Sequence, residues 1–338
     1  MRFIASVAEK SQLSKKINLL KILPQIQSFS FSTHSTRPTN SRFNLLFFCP
    51  RSQDHLNDFD RIFPNLIRGT KPKSISITDT AHNPDNSNRA IAKLINNHIS
   101  ANMIIPHIAM IAHSKSGVDE RINYFKAIGI SDLLVIRGNP VVLGKSKDYK
   151  HPQGYDNMEQ LLRRIKNLAP NIKIIVGGYP EKHPFAQTFD DDIQELKKKV
   201  DCGADKIITQ HFFDKMVFVR FIYECNKNGI NLPMIPSIMP IGSPKYIFAF
   251  SRGANIALSE EVLKIYRKGG VREEDNIIKN PAIEKEAVEY SAGQINELME
   301  IPQIERINTY VANNVSFLTK VLVKAGVEIS SDYEREIM

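Results

Sequence analysis

A single-domain α/β fold, a (β/α)8 barrel, is the architecture this sequence predicts, on three observations. Eight short apolar runs recur from residue 43 onward, amphipathic stretches separate them, and the runs are continuous rather than alternating, as strands covered on both faces require. Eight such units in just under 300 residues fit a parallel barrel wrapped by helices. A doubly wound open sheet is the competing arrangement. No G-x-G-x-x-G follows any run, so the dinucleotide fingerprint of that fold is missing.

The runs are F-N-L-L-F-F (43–48), S-I-S-I (74–77), M-I-I-P-H-I-A-M-I (103–111), D-L-L-V-I (132–136), I-K-I-I-V (172–176), D-K-I-I-T (205–209), P-M-I-P-S-I-M (233–239) and a weaker R-I-N-T-Y-V (306–311). Between the third and fourth, Ile122, Phe125 and Ile128 fall on one helical face and Gly129 stops the helix. After the fifth, Ile193, Leu196 and Val200 repeat the plan. The barrel is expected over 43–330, with 331–338 as a tail.

Residues 1–42 are set apart by charge. They carry seven Lys or Arg against one acid, +6 of the chain's +9, so the remainder is close to neutral. With no basic stripe interleaved with aromatics, a nucleic-acid partner is not expected. The same segment is rich in Ser and Thr, and Phe3, Val7, Leu13, Ile17 and Leu20 fall mostly at helical spacing. This is the composition of a mitochondrial transit peptide, with a disordered basic tail as the alternative, and the expected location is the matrix side of the mitochondrion. No run approaches the roughly 18 to 20 apolar residues a membrane helix needs, so the chain is not expected to span a membrane. Cys49, Cys202 and Cys225 are scattered, which fits a reducing compartment and no zinc site.

In a barrel, chemistry gathers where strands end. The residues there are Thr78 and Asp79, His107 and His113, Arg137-Gly138-Asn139, Tyr179 through His183, and Thr209-Gln210-His211. The set is polar and aromatic with few free carboxylates. No H-x-H, H-E-x-x-H or carboxylate cluster suggests a metal, and no phosphate loop with lysine is present.

Taken together, P-H-I (106–108), I-R-G-N-P (136–140), G-Y-P-E-K-H-P (178–184), L-K-K-K-V-D-C-G-A-D (196–205), I-I-T-Q-H-F-F-D (207–214) and G-I-N-L-P-M-I-P-S-I-M-P-I (229–241) resemble the methylenetetrahydrofolate reductases over about residues 44–327. That family folds as a (β/α)8 barrel, binds FAD non-covalently and reduces methylenetetrahydrofolate to methyltetrahydrofolate with NADH or NADPH. The resemblance implies flavin contacts at Thr78, His107, Arg137, Gly138, Asn139, Tyr155, Tyr179, His183, Asp192 and Lys199, and makes Gln210 the glutamine that orients folate and nicotinamide. Lys199 sits where a cation can meet a pyrophosphate.

The departures cluster at the reaction centre. The family's F-E-F-F-P-P reads L-L-F-F-C-P here, which puts Leu46 at the position of its general acid. Losing a general acid typically costs about 10²- to 10⁴-fold in rate. The family's T-Y-G-A becomes Thr78-Asp79-Thr80-Ala81, its R-G-D becomes Arg137-Gly138-Asn139, and its H-F-Y-T-L-N-R becomes Asn308 through Asn314. A neutral amide at Asn139 would bind the pterin amino group and a cationic iminium less well than a carboxylate.

The reading favoured is a mitochondrial, FAD-binding flavoprotein that keeps the fold after folate reduction is lost or weakened. One alternative is a non-catalytic subunit of a mitochondrial complex. Another is a working NAD(P)H-dependent reductase in which Asp79 replaces the acid. Folate, a second copy of the chain and partners in a larger complex are the partners considered.

Overall fold

The computed structural model describes residues 42–79, 84–140, 144–146, 148–301, 304, 306–312 and 314–337. The segment 1–41, read as a transit peptide or basic tail, lies outside them, as do Thr80, Ala81 and Asn313.

Each of the eight apolar runs overlaps a strand, β5 and β6 extending two residues past theirs: β1 Phe43–Phe47, β2 Ser74–Ile77, β3 Ile104–Ala109, β4 Asp132–Ile136, β5 Lys173–Gly178, β6 Lys206–His211, β7 Met234–Ile238 and β8 Ile307–Val311. Neighbours in sequence are neighbours in the sheet, and β1 to β8 form a closed barrel. The helices are α1 Gln53–Thr70, α2 Pro84–Asn96, α3 Lys115–Ala127, α4 Met158–Leu168, α5 Phe189–Asp201, α6 Lys215–Lys227, α7 Pro244–Ala254, α8 Glu260–Lys268, α9 Pro281–Met299, α10 Val315–Lys324 and α11 Ser331–Ile337. The described chain groups into two compact units: 40–177 with 195–208 and 328–338, here the β1–β5 unit, and 178–194 with 209–327, the β7–β8 unit.

In the β1–β5 unit the parallel ladder aligns Leu46 with Ser76, Ser76 with Ile105, His107 with Leu134, and Leu134 with Ile175. Aligned residues share a face, and successive residues alternate. Phe47 turns outward onto the Phe59 and Phe63 rings of α1, with centroids 5.8 and 4.4 Å away. Leu46 and the residues aligned with it therefore face the barrel interior. Burying a phenylalanine such as Phe47 or Phe59 stabilises the fold by roughly 1.5–3 kcal/mol.

Side chains cap the helices as the sequence requires. The Ser52 hydroxyl accepts from the His55 amide, Ser114 from Gly117 and Asn157 from Gln160, each satisfying a donor the helix itself leaves unpaired. On α3, Ile122 and Phe125 are fully buried as their spacing demands. Ile128 is half-buried at the C-cap, next to Gly129 at φ 84°. Val200 of α5 is only half-buried, so Ile193 and Leu196 carry that face. The segment 331–338, expected to be a tail, forms α11 up to Ile337. Its Tyr333 ring lies on Gly69 of α1, where a Cβ would stand 2.3 Å from the ring.

In the β7–β8 unit, Ser237 aligns with Asn308, and Asn308 Nδ2 donates to Ser237 Oγ at 3.0 Å. Helix α9 supports the exit from β6. Gln294 Nε2 donates to the Phe212 carbonyl at 2.8 Å and the Tyr290 hydroxyl to the Phe213 carbonyl at 3.0 Å. Two backbone acceptors that leave the sheet are thereby satisfied.

Candidate functional site

The strand ends of the β1–β5 unit converge on one buried carboxylate. Asp79 follows β2, and its side chain has no exposed surface. Asp79 Oδ2 accepts from the Ala109 amide at 2.9 Å and lies 2.5 Å from His113 Nε2. Arg121 of α3 brings its guanidinium to 3.6 Å from the other oxygen and donates to Ser87 Oγ at 2.9 Å. Burial pushes the Asp79 carboxyl up. The His113 hydrogen bond, the Arg121 charge and the Ala109 amide outweigh it and hold the group below its ordinary range. Asp79 is therefore a fixed anion and a poor proton donor. That direction counts against Asp79 as a stand-in for the missing acid.

Around that carboxylate the fold gathers Thr78, His107 and Gly138. Thr78 Oγ1 accepts from the Cys49 amide at 2.8 Å. Burial pushes the Cys49 thiol up to about 12, with the Asp79 charge adding to it, so the sulfur stays protonated and unreactive. His107 is buried, and burial pulls its imidazole down to about 4, so it is neutral near pH 7. Its Nε2 has no hydrogen-bond partner among the described residues. Gly138 adopts φ 90°, and a Cβ there would stand 2.9 Å from Ile111, so only glycine fits.

Arg137 is half-buried and its carbonyl accepts from the Ile111 amide at 3.0 Å, while Asn139 is exposed. Leu46 is 4% exposed on the interior face of β1, aligned with Ser76. Tyr155 packs against α3. Its hydroxyl lies 3.5 Å from Asp119 Oδ1, a carboxylate also held by Arg164 at 2.6 Å, and Lys115 lies over its ring. Lys199 is half-buried in the last turn of α5.

The β7–β8 unit holds a second set. Tyr179 and His183 meet edge to face at 4.5 Å, and Phe185 extends the row at 5.3 Å. Asp192 Oδ2 accepts from the His183 amide at 2.8 Å, and His183 Nδ1 accepts from the Phe185 amide at 3.1 Å. In neutral His183 the proton therefore sits on Nε2.

Gln210 closes the end of β6. Its Oε1 accepts from the His211 amide at 3.0 Å and from the Tyr310 hydroxyl at 3.0 Å, with His211 Nδ1 at 2.9 Å. Asn314 caps α10, its Oδ1 accepting from the Phe317 amide at 3.1 Å. Arg121, Tyr290 and Gln294 were not singled out from the sequence. Nothing local distinguishes them from ordinary helical residues, because their roles depend on strand ends far along the chain. Among the described residues no group of three His, Cys, Asp or Glu could hold a metal ion, and no helix is long and apolar enough to cross a membrane.

A family model described as methylenetetrahydrofolate reductase matches residues 33–326. Methylenetetrahydrofolate reductase (NADH) 1 of Arabidopsis thaliana is 29% identical over 238 residues, covering 67% of this chain and 38% of the plant protein. The 5,10-methylenetetrahydrofolate reductase of Escherichia coli is 30% identical over 218 residues, covering 63% of this chain and 69% of the bacterial one. The chain thus spans about two fifths of the length of plant relatives. Among solved structures, an uncharacterized Clostridium thermocellum protein that binds two copies of 5-methyl-5,6,7,8-tetrahydrofolic acid superposes with a TM-score of 0.59. Its identity is 14%, over 90% of this chain and 98% of that one, which supports the fold alone.

Proposed function

Because this chain belongs to the methylenetetrahydrofolate reductase family, we propose that it is a flavoprotein that binds FAD and a reduced folate and whose formation of methyltetrahydrofolate is lost or severely weakened. The observation that carries this reading is Leu46, a buried hydrocarbon where the family places its proton donor. Protonating the folate nitrogen as the methylene bridge opens requires an acid at that point. The His113, Arg121 and Ala109 contacts favour the ionised form of Asp79, which argues against that side chain as the replacement.

The residues present fit a flavin. In the β1–β5 unit the orphaned Nε2 of buried His107 and the glycine conformation of Gly138 suit the edge of a flat heterocycle, and in the β7–β8 unit the ring row of Tyr179 and His183 suits a ring contact. Thr78, Arg137, Asn139, Tyr155, Asp192 and Lys199 complete the proposed contacts. Bound there, FAD would supply hydride transfer from NADH or NADPH. Lys199 would neutralise phosphate charge, Gln210 would orient the folate, and Asn139 would contribute a neutral amide where the family has a carboxylate. The acid-poor basic segment 1–42 supports delivery to the mitochondrial matrix. A fluorescent reporter fused behind it should co-localise with mitochondria, and a cytosolic signal would overturn that location.

The purified protein should show a bound-flavin absorption spectrum and reduction by NADH. Methyl product should form about 10²- to 10⁴-fold more slowly than with an acid in place. Leu46→Glu should recover part of that rate. Methyl product from the wild type at a rate that Leu46→Glu does not exceed would overturn the reading.

A further inference from the structure

The hydrogen-bond set around Gln210 fixes more than its position. A backbone N–H can only donate, so the atom that the His211 amide meets at 3.0 Å is the side-chain carbonyl oxygen. The Tyr310 hydroxyl donates to the same oxygen at 3.0 Å, and His211 Nδ1 lies 2.9 Å from it. The His211 ring is 1% exposed and its Nε2 has no partner. Placing the proton on Nδ1 makes the short contact a hydrogen bond. Placing it on Nε2 would bury an unpaired donor and set two lone pairs against each other. Burial pulls His211 down to about 3 and pushes Tyr310 up, the nearby Tyr179 adding to the latter, so imidazole and phenol are both neutral across the physiological range. Three donors saturate the carbonyl. Among the described residues nothing meets the amide nitrogen of this half-buried side chain.

We propose that His211 and Tyr310 are positioning residues that clamp the Gln210 carbonyl, so that this glutamine offers a bound molecule two N–H donors and no acceptor. The ligand atom selected at this point is an acceptor, a carbonyl oxygen or lone-pair ring nitrogen of a flat heterocycle, and a donor there meets nothing. Identifying that heterocycle with a folate rests on the function proposed above. The clamp itself does not.

Two measurements on the purified full chain separate these layers. With glutamine side chains labelled with ¹⁵N, and the Gln210 amide assigned by its absence in Gln210→Ala, Tyr310→Phe and His211→Phe should each shift that resonance and speed its proton exchange. An unmoved resonance in both variants would overturn the clamp. In calorimetry with 5-methyltetrahydrofolate, each variant should bind about three- to tenfold more weakly, as for one lost neutral hydrogen bond. Gln210→Glu, which keeps three acceptor contacts but presents oxygen in place of N–H, should bind about 100-fold more weakly, as for a donor replaced by an unpaired charge. Gln210→Glu binding as tightly as wild type would overturn donor-only selection. If wild-type protein binds no folate, the ligand assignment falls and the resonance still decides the clamp.

Discussion

Each unit of the barrel buries a polar network where its strands end, and the two networks are built on opposite electrostatic principles. In the β1–β5 unit a carboxylate, a guanidinium and an imidazole lie out of solvent together. In the β7–β8 unit a buried imidazole meets a half-buried amide and a half-buried phenol, all of them neutral. Taking a charge out of water costs several kcal/mol per ion, so the charged network holds only if its charges are paired. Asp79 gives Oδ2 to the Ala109 amide and His113, while Oδ1 has no hydrogen-bond partner and meets only the Arg121 charge at 3.6 Å, so the ion pair rather than full hydrogen bonding offsets its burial. A neutral network carries no such demand, and Gln210 can hold its N–H groups in reserve. One network supports; the other can bind.

That contrast breaks first at Asp79. Asp79→Ala leaves Arg121 buried without its main counter-charge and should destabilise the protein by about 3–5 kcal/mol in urea unfolding. A loss under 1 kcal/mol would mean the charged network contributes no more than a surface pair does.

A smaller effect comes from pH, and here the two units should behave alike. His107 and His211 are held neutral by burial, at about 4 and about 3. An unfolded histidine binds its proton near pH 6.5, so between there and the folded values the unfolded chain carries more protons. Stability is thus fully present above pH 6.5 and falls with pH, by roughly 2 kcal/mol per histidine between pH 7.5 and 5. Asp79, whose folded value is depressed, adds a loss in the same direction only below its ordinary value of 3.8. Urea midpoints at the two pH values, with His107→Asn and His211→Asn flattening the dependence, provide the check. A pH-independent midpoint would show that these rings are solvated.

Smaller still is the support from α9. Gln294→Leu removes the donor to the Phe212 carbonyl and should cost about 1–2 kcal/mol, read as a lowered urea midpoint with an unchanged slope. The smallest change belongs to Arg164→Ala. It breaks a half-exposed pair with Asp119 worth about 0–1 kcal/mol, so a larger loss would place Tyr155 and Asp119 among the supports of the β1–β5 unit.

Local pattern made much of this legible. Continuous apolar runs such as D-L-L-V-I can be buried on both faces only as central strands, and the runs all became strands of the barrel. The family resemblance puts Leu46 where an acid would be expected, and the fold shows a buried side chain on the interior face of β1 there. Gly129, read from the sequence as the stop of its helix, indeed sits at positive φ just past it.

What the sequence by itself determined is therefore what depends on neighbours along the chain: strands, helices, caps and the residue at each strand end. What the tertiary structure decided is how those ends are partnered. Asp79 looked like a free acid at a strand end until His113 and Arg121, both far along the chain, proved to hold its charge. Gln210 was read from the family resemblance as a glutamine that orients a ligand, but only the fold shows the ring of His211 and the hydroxyl of Tyr310 taking its oxygen. The physical reason is that hydrophobic periodicity is summed over many residues and survives single substitutions, whereas a buried hydrogen bond depends on two atoms within about 3 Å. Only the folded barrel brings those atoms together.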